Sequence, residues 1–231
     1  MNVKILQLID GAKQATGITV VIDVFRAFTV EAYLMNNGIE RLYPVGDKQI
    51  AYDYKEKHPD AVLIGERHGK ILPGFDFGNS PSQIENVDFS GKTAVHTTSA
   101  GTQGIANATG AKEILTGSLV NAKAIAEYIK KSGEEDVSLV CMGLNGLEET
   151  EEDVLCAEYI KSLLLNEPFS FDGKIENVKA TSGAKFFDPA VQDVFPEKDF
   201  YLSTETDKFN FVLRLHKVEN GLDYIEKIKM A

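Results

Sequence analysis

Four short stretches of the sequence put acids, bases, hydroxyls or glycines where an apolar run gives way to a helix-like pattern, the place where open α/β folds bind ligands. The first is Asp23-Val24-Phe25-Arg26-Ala27-Phe28-Thr29. An acid closes a β-branched run and an arginine stands just before a helix. Free amides at a helix start attract anions, and a guanidinium grips a phosphate through paired hydrogen bonds. Asp23 offers oxygen ligation to magnesium; the plainer alternative is a structural Asp23–Arg26 ion pair or a cap. The second runs from Gly65-Glu66-Arg67-His68-Gly69 to Gly74-Phe75-Asp76-Phe77-Gly78-Asn79-Ser80-Pro81. Glu66 and Asp76 are candidates for holding a metal or activating water, Arg67 is a second anion clamp, and the glycines let backbone amides approach a ligand closely. A tight surface loop with a solvated ion pair is the competing reading.

The third stretch, Thr97-Thr98-Ser99-Ala100-Gly101-Thr102, is a hydroxyl-rich turn suited to an oxyanion, without the spacing of a Walker loop. With Asn79 and Ser80, the residues Thr97, Thr98, Ser99, Gly101 and Thr102 form the candidate substrate-binding set. The fourth, Cys141-Met142-Gly143-Leu144-Asn145-Gly146, leads to Glu152 and Asp153. These two acids are candidate metal ligands, or they simply complement the positive end of a helix dipole. The histidines show no metal-ligand spacing and the cysteines no CxxC pair. His68 is kept as a candidate acid or base, His96 is expected to be packed inside a strand, and Cys141 is expected to be a small buried hydrophobe.

The elements that must position these residues alternate. Strands are expected at Thr19–Asp23, Arg41–Val45, Ala61–Gly65, Thr93–Thr97 and Val137–Met142. Helices are expected at Ala27–Asn37, Lys48–Lys57 and Asn121–Lys131, with further starts capped by Ser80 and by Thr150. Strands that alternate with helices and are apolar throughout predict a mostly parallel sheet covered by helices. Asp199 to Leu215 alternates aromatic and polar residues and is expected to form one or two strands, and Thr181–Ala184 a loop. The chain reads as a single unit over 1–231, with two α/β lobes, about 1–118 and 119–231 and the site between them, as the alternative.

The 231 residues are 43% hydrophobic and 26% charged, a globular balance, and the net charge is −11. An acidic chain with no basic run is not built for nucleic acid or anionic lipid. Two cysteines make no disulfide framework, the N-terminus shows no signal peptide, and no apolar run is long enough to span a membrane, so a cytoplasmic protein is expected.

Five blocks then resemble one family. Val21-Ile22-Asp23-Val24-Phe25-Arg26-Ala27 is similar to its VIDVLRA segment, and Gly65-Glu66-Arg67 with the 74–81 loop to its GER…GFDxGNSP. Thr97–Thr102 resembles its TTxNGT, Gly117–Ala122 its GSFVNA and Glu152–Ala157 its EDxxCAG. In the same order over residues 21–157, they identify the chain as similar to the 2-phosphosulfolactate phosphatases. The resemblance implies an α/β fold, a homodimer, a Mg²⁺ requirement and hydrolysis of 2-phospho-3-sulfolactate, a small phosphorylated anion, to 3-sulfolactate and phosphate, in some organisms on the way to coenzyme M. The expected site has Mg²⁺ on Asp23 with one or more of Asp76, Glu152 and Asp153. Arg26 and Arg67 face the phosphoryl oxygens, and Glu66 or Asp76 attends the attacking water. His68, Ala100 and Glu158 depart from the family pattern, which has glycine, asparagine and glycine there. Two alternatives therefore stand beside this reading: a phosphatase for another phosphorylated hydroxy acid, and a non-catalytic anion-binding protein of the same fold.

Overall fold

Aliphatic and β-branched runs form the strands of the computed structural model, which describes residues 1–230. These are β1 (Asn2–Gln7), β2 (Gly17–Ile22), β3 (Arg41–Pro44), β4 (Val62–Arg67), β5 (Lys70–Ile71), β6 (Thr93–Thr97), β7 (Ala111–Gly117), β8 (Asp136–Cys141), β9 (Phe211–His216) and β10 (Tyr224–Lys229). They build one sheet in the order β1-β8-β2-β7-β9-β10-β3-β6-β4-β5. The β1-β8-β2-β7 group is parallel throughout, as is β3-β6-β4. The hairpin β9–β10 joins the two groups by antiparallel pairing, β9 with β7 and β10 with β3.

Both faces of the parallel strands are covered. In β2, Val21 packs into one apolar cluster while Val20 and Ile22 pack into another, the two-residue alternation of a pleated strand. Helix α1 (Leu8–Gln14), α2 (Ala27–Asn36) and α5 (Gly101–Asn107) lie on the first side; α6 (Ala122–Ser132) and α7 (Glu151–Leu165) lie on the second. Residues Ala27 to Met35 of α2 are all buried, as expected of a helix enclosed on every side. Loops after the neighbouring strands β8 and β2 meet those after the neighbouring strands β6 and β4, although the two pairs are far apart in the sheet order.

The remaining helices are α3 (Lys48–Lys57), α4 (Pro81–Ile84), α8 (Lys174–Ala180) and α9 (Glu197–Thr204), with a short 3₁₀ turn at Ala184–Phe187. One expectation fails outright: residues 199–204, read as strand, belong to α9. Pro196 at its start and the acids Glu197 and Asp199 in its first turn are helix signals, and they outweigh the alternating pattern. Neither Ser80 nor Thr150 makes the expected side-chain cap, since neither hydroxyl bonds an amide of the helix that follows. The position near 118 falls between β7 and β8, which flank β2 in the same parallel group.

Candidate active site

Asp23 follows β2 and is buried with both carboxylate oxygens engaged. Oδ1 accepts from the Ala27 amide at the start of α2 (3.1 Å), and Oδ2 accepts from the Gly101 amide at the start of α5 (2.9 Å). One side chain thus ties two helix starts from opposite parts of the sheet. Glycine is required at 101, because a Cβ there would come within 2.9 Å of both Asp23 Oδ2 and Ala27 Cβ. Two other acids fasten loops in the same way. Glu66 Oε1 accepts from the Ser99 amide (2.7 Å), and Oε2 from the Gly69 amide (2.6 Å) and the Ser99 hydroxyl (3.3 Å). Asp153 accepts from the amides of Val24 and Gly143, both at 2.8 Å, and so holds the exits of β2 and β8 together.

Above these clamps lies a cavity of about 330 Å³ bordered by Asp23, Arg26, Glu66, Asn79, Ser99 and Lys185. A second, of about 400 Å³, adjoins it through Arg26, Gly69 and Asn79 and adds Lys70, Ser80 and Gln83. Arg26 is almost fully buried. Its Nη1 donates to Asp199 Oδ2 (2.5 Å) and to the Val194 carbonyl (2.9 Å), while the other guanidinium nitrogens make no protein hydrogen bond. Asp199 Oδ1 in turn accepts from the Ser80 hydroxyl and the Ser82 amide. Lys185 forms no salt bridge, and the Phe195 ring sits between the two cations: Arg26 Cζ is 5.0 Å and Lys185 Nζ 5.4 Å from its centroid. Gly69, with φ +79°, admits that ring, since a Cβ would stand 2.5 Å from Phe195 Cζ. A cluster built from Phe25, Phe186, Phe187, Phe195 and Phe200 carries this part of the chain against α7 and α8.

Not every candidate reaches the cavity. Asp76 lies outside it: its Oδ2 accepts from the Leu63 amide (2.8 Å) and pairs with Lys55 (3.3 Å), and the side chain is 42% exposed. The Arg67 guanidinium also turns away, donating to the carbonyls of Glu66 and Gly46 and to the Thr97 hydroxyl. The placement of Arg67 follows from the strand itself. Alternate residues leave a strand on opposite faces, so Glu66 and Arg67 cannot both face the cavity. Thr98 and Thr102 satisfy one another through reciprocal hydroxyl–amide bonds at the start of α5. Thr97, Thr98, Gly101 and Thr102 therefore shape the turn behind the cavity, while Ser99 borders it. The residues that sequence reasoning missed are Lys185, Phe195 and Asp199. They lie more than 100 positions from Asp23, and no local pattern marks them.

Buried acids underlie the site, and the cations Arg26 and Lys185 line it. Burial pushes the Asp23 carboxyl up to about 7, against its amide bond from Ala27 and with a push from Glu66 and Glu152. Burial likewise raises Glu152, opposed by the Ser182 hydroxyl and the Lys185 ammonium, and holds Asp153 well above the usual carboxylate range. Burial lowers Lys185, Glu152 pulls it back up, and the positive charge of Arg26 lowers it further. Glu152 Oε2 is buried without a hydrogen-bond partner. Among the described residues no three His, Cys, Asp or Glu side chains are gathered as a ready-made metal cage. A larger groove of about 550 Å³ between α7 and α8 presents Glu149, Glu151, Glu158 and Asp172, and its Lys174 is bonded to Glu158, so it offers an anion no free cation.

Comparison with known proteins bears on the same residues. The family described as 2-phosphosulpholactate phosphatase matches residues 3–218. A probable 2-phosphosulfolactate phosphatase of Bacillus subtilis (strain 168) is 30% identical over 214 residues, covering 91% of this chain and 92% of that protein. One from Clostridium acetobutylicum is 36% identical over 176 residues, 76% of this chain and 72% of its own. One from Carboxydothermus hydrogenoformans is 40% identical over 148 residues, 64% of this chain and 60% of its own. The match takes in every loop that closes on the cavity, from Asp23 to Asp199, and the chain belongs to the 2-phosphosulpholactate phosphatase family.

Proposed function

We propose that the chain hydrolyses the phosphomonoester of 2-phospho-3-sulfolactate to 3-sulfolactate and phosphate, with Mg²⁺ as cofactor, as a cytoplasmic homodimer. One observation carries the reading: Arg26, whose outer nitrogens are free beside its ion pair with Asp199, and Lys185, which makes no salt bridge, border one cavity with Asp23 and Glu66. Paired cations at a buried wall suit the growing charge of a phosphoryl transition state. Arg26 orients the phosphoryl oxygens from its fixed seat on Asp199. Water attacks phosphorus and the bond from phosphorus to the C2 oxygen breaks. Lys185, whose ammonium is made more acidic by its surroundings, supplies the proton that the departing oxygen takes up, and the proton shed by the attacking water restores the ammonium.

The acids fit a divalent ion. Three buried carboxyls are raised towards their neutral forms, and Glu152 Oε2 lacks a partner, a shortage of positive charge that such an ion would relieve. Asp23, which borders the cavity, and Glu152, through its unpartnered Oε2, would hold it; Asp153 and Asp76 do not border the cavity. Bound there, Mg²⁺ would polarise a phosphoryl oxygen. A cytoplasmic location is supported by Cys141 and Cys156 being buried and unbridged, and no helix among the described residues is long and apolar enough to cross a membrane.

A phosphatase for another phosphorylated hydroxy acid is the second reading, favoured by Ala100 and His68 lining the cavity. Phosphate release from a panel of sulfonate and carboxylate substrates, with Mg²⁺ titrated in, tests both. Preference for 2-phospho-3-sulfolactate with saturable Mg²⁺ dependence is expected. Preference for a carboxylate analogue selects the second reading, and release from none removes the activity.

A further inference from the structure

His96 in β6 is completely buried, yet both of its ring nitrogens have polar partners. Nδ1 lies 3.0 Å from Glu31 Oε1 on α2, and Nε2 lies 3.3 Å from Asn79 Oδ1 in the loop before α4. The other oxygen of Glu31, itself fully buried, accepts from the Thr116 hydroxyl of β7 at 3.0 Å. A chain of four side chains thus crosses the interior and ends at Asn79, its one member that borders both cavities. Packing alone does not call for it. An aliphatic side chain fills a strand position without taking a carboxylate out of water, and burying an acid is costly unless its partners are well placed. The return on a fully satisfied buried network is a fixed orientation, and the group whose orientation faces solvent-filled space is the Asn79 amide.

We propose that Glu31 and His96 lock Asn79 with its carbonyl oxygen against the His96 ring and its amino group turned into the seam between the cavities, where it donates to an anionic oxygen of the substrate. His96 is then a positioning residue acting through Asn79. The inference rests on the reading of the cavity as a phosphomonoester site. It requires a proton on His96 Nε2, beside the proton that joins His96 Nδ1 to Glu31 Oε1. With Nε2 bare, the amide would turn over and present its oxygen to the anion.

The test uses Asn79→Ala, His96→Leu, their double variant and His96→Gln, with calorimetric binding of inorganic phosphate in the presence of Mg²⁺ beside steady-state kinetics. Asn79→Ala and His96→Leu are each expected to weaken phosphate binding and raise KM by about 10-fold or more, with a smaller change in kcat, the scale of a hydrogen bond to a charged group. The double variant should be no worse than Asn79→Ala. His96→Gln, which keeps an N–H directed at Asn79, should recover most of the loss. In the unmodified chain, a ¹H–¹⁵N spectrum of the His96 ring should show a protonated Nε2. Losses that multiply in the double variant, or an Nε2 without a proton, overturn the proposal. The binding and spectroscopic arms need no turnover, so a chain that binds phosphate but hydrolyses nothing would end the activity reading while still deciding this one.

Discussion

The Arg26 guanidinium and the Asp199 carboxylate meet at 2.5 Å with both side chains buried, joining the exit of β2 to a helix 173 positions further along the chain. Taking one partner away strands the other, which typically costs about 3–5 kcal/mol, whereas replacing both with apolar residues is often neutral. Asp199→Ala should therefore lower the unfolding free energy by about that amount in a urea melt. The double change Arg26→Leu/Asp199→Leu should restore most of the stability and still leave kcat/KM down by about 100-fold or more. Activity that returns with stability would make Arg26 a scaffold residue only.

Lys185 separates binding from folding more cleanly. It makes no salt bridge, and Met keeps most of its length and apolar stem. Lys185→Met is expected to leave the melting temperature within a few degrees while kcat/KM falls about 100-fold. Unimpaired turnover would take the lysine out of the chemistry.

How much of this was legible follows from where each interaction lives. Helix Lys48–Lys57 and strand Thr93–Thr97 read off the sequence with both ends right, because local periodicity and capping decide them. Asp23, Arg26 and Glu66 border the cavity and stand out in the sequence for a local reason, the first two at a strand-to-helix turn and the third at the glycine-flanked end of a strand. That Arg67 and Asp76 lie away from the cavity was not legible, because composition does not say which face of a strand or loop a side chain leaves from. Asp199 and Lys185 were unreadable, as their partners come from the other end of the chain. His96 was read correctly as buried, but burial alone did not disclose what its two nitrogens touch.

The buried acids predict a stability profile. A carboxyl held above its unfolded value binds its proton more tightly in the folded state. Its contribution is complete below the unfolded value of 3.8 and is lost as pH rises through about 7 for Asp23; Glu152 and Asp153 act in the same direction. Without metal, stability should fall between about pH 4 and 7 with a slope near 1.4 kcal/mol per pH unit for each net proton released. The lowered Lys185 works in the opposite sense, in the window just below its unfolded value of 10.5. Mg²⁺ should raise the melting temperature more at about pH 8 than at about pH 5. Calorimetry showing stability that climbs through this window would mean that the acids ionise freely.

Asp76 supplies a negative control. Its bonds to the Leu63 amide and Lys55 are part-exposed, so Asp76→Asn should cost about 1 kcal/mol or less and leave kcat/KM within about twofold. A loss near 100-fold would return Asp76 to the chemistry.

The hairpin β9–β10 ends at Lys229 and, among the described residues, supplies the strand pairing that joins the two parallel groups. During synthesis, each group can gather its own strands early, but no strand pairing joins one to the other until these late residues have left the ribosome. Asp23 and Gly101, lodged in different groups, would wait for the same event. A nascent chain halted near residue 205 should thus contain most of the secondary structure and none of the catalysis.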